Sequence, residues 1–323
     1  MNAPRNSGIG ARVFSTSGNL LADRRYEYAQ AAARDGDHAA ACEVLEQTLE
    51  LAPGWADAWF ALGEARERLC RQEAARAAFL QASAHDASDR NGAALRLARL
   101  AGGPPPPTMP EEYVRGLFDQ YAPRFDRHLT GALDYRGPAL IEAALRDACA
   151  LLDRPFAFAT ALDLGCGTGL AGRALAPACR ALHGVDLSPG MLTEARATGV
   201  YASLEAADML PWLQAWPAAA DLVMAADVLV YAGDLAPLFG AVAGVLRAAA
   251  TPGLFGFTTQ AHSGDGYVLG ADLRFAHSER YLRDCACAAG LQVIAFAACT
   301  TRRDAGLGVA GYVGVLTRAD AGR

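Results

Sequence analysis

Residues 160–172 read TALDLGCGTGLAG, and residues 183–192 read HGVDLSPGML. The first stretch is an apolar run that breaks into glycines at 165, 167 and 169, which is how a strand ends when its backbone must turn close to a ligand. The second repeats the plan: an apolar strand ends in Asp186, then Ser188 and Pro189 supply an N-cap and a first helical turn. Strand, turn and helix twice in succession predict a parallel sheet covered by helices. The glycines are spaced G-x-G-x-G, and Leu170 stands where a dinucleotide fingerprint has its third glycine. Asp163 lies two residues before the first glycine, where a carboxylate repels a pyrophosphate and favours a ligand carrying an ammonium. Asp186 follows at the separation of an acid that grips ribose hydroxyls.

The alternation continues outward. ATALDL, ALHGVDL, DLVMAADVLVY and GLFGFTT alternate with helical segments, and LQVIAFAACTT with GYVGVLTR reads as a closing antiparallel hairpin. Upstream, EEYVRGLFDQY (111–121) sets Val114, Leu117, Phe118 and Tyr121 on one helical face, and Pro123 is expected to end or kink that helix. RGPALIEAALRDACALL (136–152) is a second amphipathic helix. The boundary of this region is AGGPPPPTMP (101–110), where four consecutive prolines favour an extended spacer. Before it, Trp59, Leu62, Gly63, Ala75, Phe79 and Ala82 fall on a helical repeat of about 34 residues. Ala41, Leu45 and Pro53 echo it one period earlier, and GAALRLARLAG (92–102) is a capping helix. The expected organisation is a flexible tail (1–24), helical repeats (25–102), a Pro-rich linker (103–110) and an α/β domain (111–323).

Composition narrows the chemistry. The chain has 323 residues, 52% of them hydrophobic, enough for a sizeable core. Its formal charge of −6 offers no general basic surface, so nucleic acid is not an expected partner. All 29 basic residues other than histidine are arginine. Without lysine there is no Schiff base to pyridoxal phosphate and no Walker A lysine. Eight cysteines without CxxC spacing, and no secretory signal, suggest free thiols and a cytoplasmic protein with no metal site. Cys285 and Cys287 are read as small core residues of one helix. No stretch has the sustained apolar content of a membrane span.

LDLGCGTG followed by GVDLSPGML resembles motif I and the next strand end of class I S-adenosylmethionine-dependent methyltransferases. The similarity extends over about 111–323. The earlier segment resembles tetratricopeptide repeats, and their union with LFDQYAPRFDRHL and LDYRGP looks like a predicted bacterial group of repeat-containing methyltransferases. The FDxYAxxFD stretch is also similar to the opening of quinone- and biotin-pathway methyltransferases. The resemblance implies an all-α repeat domain followed by a Rossmann-like, seven-stranded α/β sheet with a terminal antiparallel hairpin. It implies S-adenosyl-L-methionine as cofactor, cradled by the backbone at Gly165, Cys166, Gly167 and Gly169. Asp163 would orient the loop and the cofactor's amino group, Asp186 would hold the ribose, and Leu187 and Met191 would wall the adenine. Asp208 would bond the adenine amine with Met209 beside it. Asp227 and the carbonyls of Ala225 and Ala226 would face the sulfonium. Arg136 is the candidate for the cofactor's carboxylate, because a guanidinium fork suits that group. Tyr121 is the candidate lid residue.

A sulfonium is a reactive methyl donor, so the protein's task is alignment and exclusion of water. If the acceptor must lose a proton, His262 and His277 are the candidate bases, and Tyr231 is a candidate wall of the acceptor pocket. ADVLVY replaces the Asn/Asp-Pro-Pro-Tyr of adenine and glutamine methylation, and no Pro-Cys nucleophile stands there. The acceptor expected is a small molecule, with AHSGDGYVLGADLRFA (261–276) forming part of its pocket. Two other readings follow from the same residues: a protein substrate recruited by the repeats, and a non-catalytic scaffold that keeps the fold.

Overall fold

The computed structural model describes residues 15–131, 134–248, 252–304 and 306–318. They form two compact units, one ending at Tyr113 and one beginning at Val114.

The first unit is a series of antiparallel helices: α1 (Leu20–Arg34), α2 (His38–Leu51), α3 (Ala56–Arg68), α4 (Gln72–His85) and α5 (Ala93–Ala101). Asn19 starts α1 by accepting the N–H groups of Leu21 and Ala22. The expected tail to residue 24 is therefore too long, because Ala22 is already buried in the helical core. Small residues let the helices approach. A Cβ on Gly63 would stand 2.5 Å from the Phe79 ring, so α3 and α4 meet only with glycine there. Trp59 donates through Nε1 to the Pro53 carbonyl at 2.7 Å and fixes the turn before its own helix.

The second unit contains α6 (Glu111–Gly131), whose first residues close the repeat unit, and then α7 (Gly137–Leu151). The alternation follows: β1 (Phe158–Leu164), α8 (Leu170–Leu175), β2 (Cys179–Asp186), α9 (Pro189–Ala197), β3 (Ser203–Ala206), α10 (Met209–Gln214), β4 (Leu222–Ala225), α11 (Ala236–Val245) and β5 (Leu254–Ala261). Two short strands, β6 (Tyr267–Leu269) and β7 (Phe275–His277), precede α12 (Glu279–Ala288) and the long hairpin β8 (Leu291–Asp304) and β9 (Leu307–Arg318). Seven strands form the main sheet in the order β3-β2-β1-β4-β5-β9-β8. The first five run parallel, and β9 is antiparallel to both β5 and β8. The β6–β7 pair extends the far end of β5 through Gln260↔Ala276 and Ala261↔His277.

Alternate strand residues feed two apolar layers. Leu162, Val223, Phe255 and Phe257 pack with Phe239 on one face, whereas Ala161, Leu222, Met224 and Leu254 pack with Ile141 and Leu145 on the other. Order reversal between β1 and β4 opens a crevice at the carboxyl ends of the strands, where ligands of such sheets bind.

Three further expectations need correction. DLVMAADVLVY does not stay extended: β4 stops at Ala225 because Asp227 takes φ +55° and sends its N–H to Thr258 Oγ1 at 2.9 Å instead of along the ladder. Pro123 does not end its helix, which runs on to Gly131, and the anchors described below hold it on both sides of the missing N–H. Cys285 is buried, but Cys287 faces solvent on the other side of α12.

Candidate active site

Gly165, Gly167 and Gly169 all have positive φ, at +60°, +54° and +89°. Their loop is held from the neighbouring strand. Cys166 N–H donates to Val185 O at 3.0 Å, and Gly167 N–H donates to Asp186 Oδ2 at 2.9 Å. Asp186 Oδ1 accepts from Ser188 N–H, also at 2.9 Å. One carboxylate thus ties the turn after β1 to the turn after β2. Burial raises the pKa of Asp186, with the two backbone donors working against that rise. The glycine side is open: a Cβ on Gly167 would have nothing closer than Phe125 at 4.0 Å. Gly165 has no such room, since a Cβ would overlap Val228 Cγ2 at 2.3 Å. Gly165→Ala is expected to cost about 2–4 kcal/mol in urea unfolding, from left-handed strain plus overpacking. Adding Val228→Ala should recover the packing part only.

Asp163 is completely buried. Tyr201 donates to its Oδ2 at 2.7 Å, and its Oδ1 has no hydrogen-bond partner. Burial drives its pKa to about 7, against the Tyr201 bond, and nearby Asp186 adds to the rise. An orphaned acceptor of this kind invites a cationic donor. The Cys166 side chain does not join the ligand face. It is buried, and it lies 3.0 Å from where a Gly184 Cβ would be, toward β2, with its thiol pKa pushed up chiefly by burial.

The helix α6 docks onto this loop pair through its two FD sequences. Asp119 Oδ1 accepts from Ser188 Oγ at 2.5 Å and from Gly190 N–H at 3.0 Å, at the start of α9. Asp126 accepts from Thr168 Oγ1 and pairs with Arg173 at 3.1 Å, at the start of α8. Both acids therefore sit at helix N-termini. Between them Tyr121 meets Phe125 edge to face at 5.5 Å, and Phe118 meets Tyr231 in the same way at 5.3 Å.

Beyond β4, Asp227 faces Arg302 of β8, with Nη1 at 3.3 and 3.4 Å from its two oxygens. Arg302 Nη2 lies 3.6 Å from Asp272 Oδ2. Tyr135 belongs to this group: burial, then the carboxylates of Asp227 and Asp163, push its phenol well above its usual range. Arg274 stands over the Tyr231 ring at 5.9 Å.

Several sequence-predicted residues lie elsewhere or have other duties. Arg136 is exposed, and its N–H is committed to Thr301 O at 2.9 Å; Tyr135 turns toward the crevice in its place. Met191 is fully buried, whereas Leu187 and Met209 are half-buried. Asp208 caps α10 by accepting Leu210 N–H at 2.7 Å. Ala226 remains beside Asp227 at the strand end. Neither histidine is a free base. His277 is fully buried, with Nε2 against the carbonyls of Ala232 and Gly233 at 3.0 and 3.1 Å and Nδ1 at 2.8 Å from Thr259 Oγ1. The carbonyls fix the proton on Nε2, so Nδ1 accepts the threonine hydroxyl. Burial lowers its pKa to about 4. His262 Nδ1 accepts Gly264 N–H at 2.9 Å, and Nε2 donates to Gly266 O at 3.1 Å. The histidines staple loops. Arg302 and Tyr201 carry no local sequence signal; Arg274 falls within the segment expected to line the acceptor pocket, and Tyr135, Asp119 and Asp126 fall within motifs that by themselves disclose no role for them.

A methyltransferase-domain family model matches residues 161–249, and a tetratricopeptide-repeat model matches 22–65. Human methyltransferase-like protein 27 is 44% identical over 89 residues, which cover 27% of this chain and 35% of that protein. The match thus spans about a third of the curated relative's length. Among solved structures, an S-adenosylmethionine-dependent methyltransferase from Clostridium acetobutylicum aligns with TM-score 0.45 and 18% identity, covering 62% of this chain and 99% of that one. The 1,6-didemethyltoxoflavin-N1-methyltransferase of Burkholderia thailandensis, with its substrate and S-adenosylhomocysteine bound, aligns with TM-score 0.48 and 18% identity over 68% of this chain and 94% of its own.

Proposed function

We propose that this chain, which carries an S-adenosylmethionine-dependent methyltransferase domain behind a tetratricopeptide segment, transfers a methyl group to a small-molecule acceptor. The observation that carries the reading is the buried Asp163 Oδ1, which lacks a donor beside a loop of three left-handed glycines. That pairing fits a ligand with an ammonium at one end and a body pressed against backbone. When bound, the cofactor supplies an electrophilic methyl on a sulfonium. Asp163 holds the ammonium, Gly165–Gly169 give backbone approach, and Asp186 keeps both turns in register. Asp227, at the end of β4, favours positive charge in the crevice. Aromatic side chains Phe118, Tyr121, Phe125 and Tyr231 exclude water above it.

Both histidines have committed ring nitrogens, so the preferred acceptor is one whose attacking atom needs no imidazole to remove a proton. Calorimetric titration with S-adenosylhomocysteine and with NADH tests the reading. Micromolar binding of the first and none of the second is expected, together with tritium transfer from the labelled donor into a small-molecule cell fraction. A well-folded sample that binds no adenosyl ligand would sink it.

A second reading is favoured by the repeats, in which a cavity of about 150 Å³ is lined by Gln30, Leu45, Ala65, Arg68 and Arg96 among others. If they recruit a protein substrate, tritium should enter protein, and Arg68→Glu should reduce that label without changing cofactor affinity.

A further inference from the structure

Arg302 is only 4% exposed, although it lies on a strand near the surface hairpin. The register of β8 against β9 shifts between Thr300 and Arg302, and the guanidinium is brought to the end of β4. Burying a cation is costly unless its donors are well paired. Here they are not. Nη1 makes two long bonds to Asp227, at 3.3 and 3.4 Å, where charge-assisted bonds usually measure about 2.7–2.9 Å. Nη2 stops 3.6 Å short of Asp272. Asp272 is also engaged elsewhere, accepting Gln260 Nε2 at 3.0 Å and Arg274 N–H at 3.2 Å. The guanidinium fork that would embrace a carboxylate in two bonds is therefore held close to acids without being satisfied by them.

A second arginine belongs to the same group. The Arg274 guanidinium stands over the Tyr231 ring at 5.9 Å, and its backbone N–H donates to Asp272, the acid that Arg302 Nη2 approaches. Burial works against its charge, but the nearby carboxylates of Asp227, Asp272 and Asp304 favour it. If the methyltransferase reading holds, Asp227 must also serve the positive charge of the cofactor. One carboxylate then faces two cations, the guanidinium and the sulfonium, and a further anion beside them is electrostatically favoured. Gln260 adds a polar mark: its Nε2 reaches the same Asp272 oxygen as Arg302, and its buried Oε1 has no donor.

We propose that the acceptor is a small carboxylic acid, its carboxylate seated on Arg302 with Arg274 beside it, and with a hydroxyl or amine near enough to donate to Gln260. This rests on the methyltransferase reading and deepens it. Phe118 and Tyr231, packed edge to face, give the same molecule an aromatic wall.

The test uses the full chain saturated with S-adenosylhomocysteine. Salicylate, anthranilate and glycolate are titrated calorimetrically, each against its own carboxamide. At least one acid should bind, with its carboxamide at least tenfold weaker. Arg302→Met should abolish that preference, and Arg302→Lys, which keeps the charge and the fold but loses the fork, should weaken the acid at least fivefold. S-adenosylhomocysteine affinity should stay within twofold of wild type in both. Equal binding of acid and amide, binding of neither, or a preference that survives in both variants overturns the proposal. A tenfold loss of S-adenosylhomocysteine affinity in Arg302→Lys also overturns it, by assigning the guanidinium to the cofactor's own carboxylate. Failure of the wild type to bind S-adenosylhomocysteine is a different result: it removes the methyltransferase reading itself.

Discussion

Asp163→Asn is expected to melt at a higher temperature than the wild type at pH 8, and to lose measurable binding of S-adenosylhomocysteine. A carboxyl whose pKa rises from 3.8 to about 7 on folding takes up a proton as the chain folds. Its contribution to stability falls as pH rises from about 4 to about 7, then stays level. The ionised form is disfavoured by about 4 kcal/mol at neutral pH, and a neutral carboxamide avoids that cost. His277 has the opposite slope. Its folded pKa of about 4 lies below the usual 6.5, so its contribution is complete above about pH 6.5 and is lost as pH falls toward 4. In the wild type the two slopes oppose each other between pH 4 and 6.5. In Asp163→Asn the opposing Asp163 slope is gone while the histidine slope remains, so stability should climb more steeply with pH across that window than in the wild type. Thermal melts from pH 4 to 8 check this. A variant equally destabilised at pH 5 and pH 8 would mean that the ionised Asp163 is well supported by its surroundings. Higher stability at pH 8 together with lost binding would mark the native carboxylate as a stability cost retained for binding.

Asp186→Ala is the second large effect. It removes a charged acceptor from two backbone donors at once, Gly167 N–H and Ser188 N–H. Hydrogen bonds to a charged group contribute about 1.5–3 kcal/mol each, so a loss of about 3 kcal/mol or more in unfolding free energy is expected. Cofactor binding should weaken at least 100-fold, because both turns that shape the cleft lose their common anchor. Asp186→Asn should fall between, since its amide keeps one acceptor and presents one N–H against a backbone donor. Amide hydrogen exchange at Gly167 and Ser188, read beside calorimetry with S-adenosylhomocysteine, separates loop order from ligand contact. Faster exchange with unchanged affinity would contradict the assignment.

The glycine loop, the acids after β1 and β2, the repeat glycine at 63 and the terminal hairpin were all legible in the sequence. Each is set by a local rule: a left-handed φ needs glycine, a strand needs alternation, and a helix contact needs a small residue. Asp227 was legible as an acid, but its left-handed turn, which cuts β4 short, was not. Arg136 and Tyr135 are adjacent, and sequence could not tell which would turn inward; the bond from Arg136 N–H to Thr301 decided it. The histidines were singled out for their chemistry, and only their neighbours disclosed that both rings are fully engaged. Arg302 and Asp227 are 75 positions apart and meet because β9 inserts between β5 and β8 while the register of β8 slips. Sequence determined the backbone cradle, because backbone conformation is a property of neighbouring residues. Tertiary structure decided which side chains confront one another across the crevice, because burial and charge pairing depend on strand order and register, which no single stretch of the chain contains.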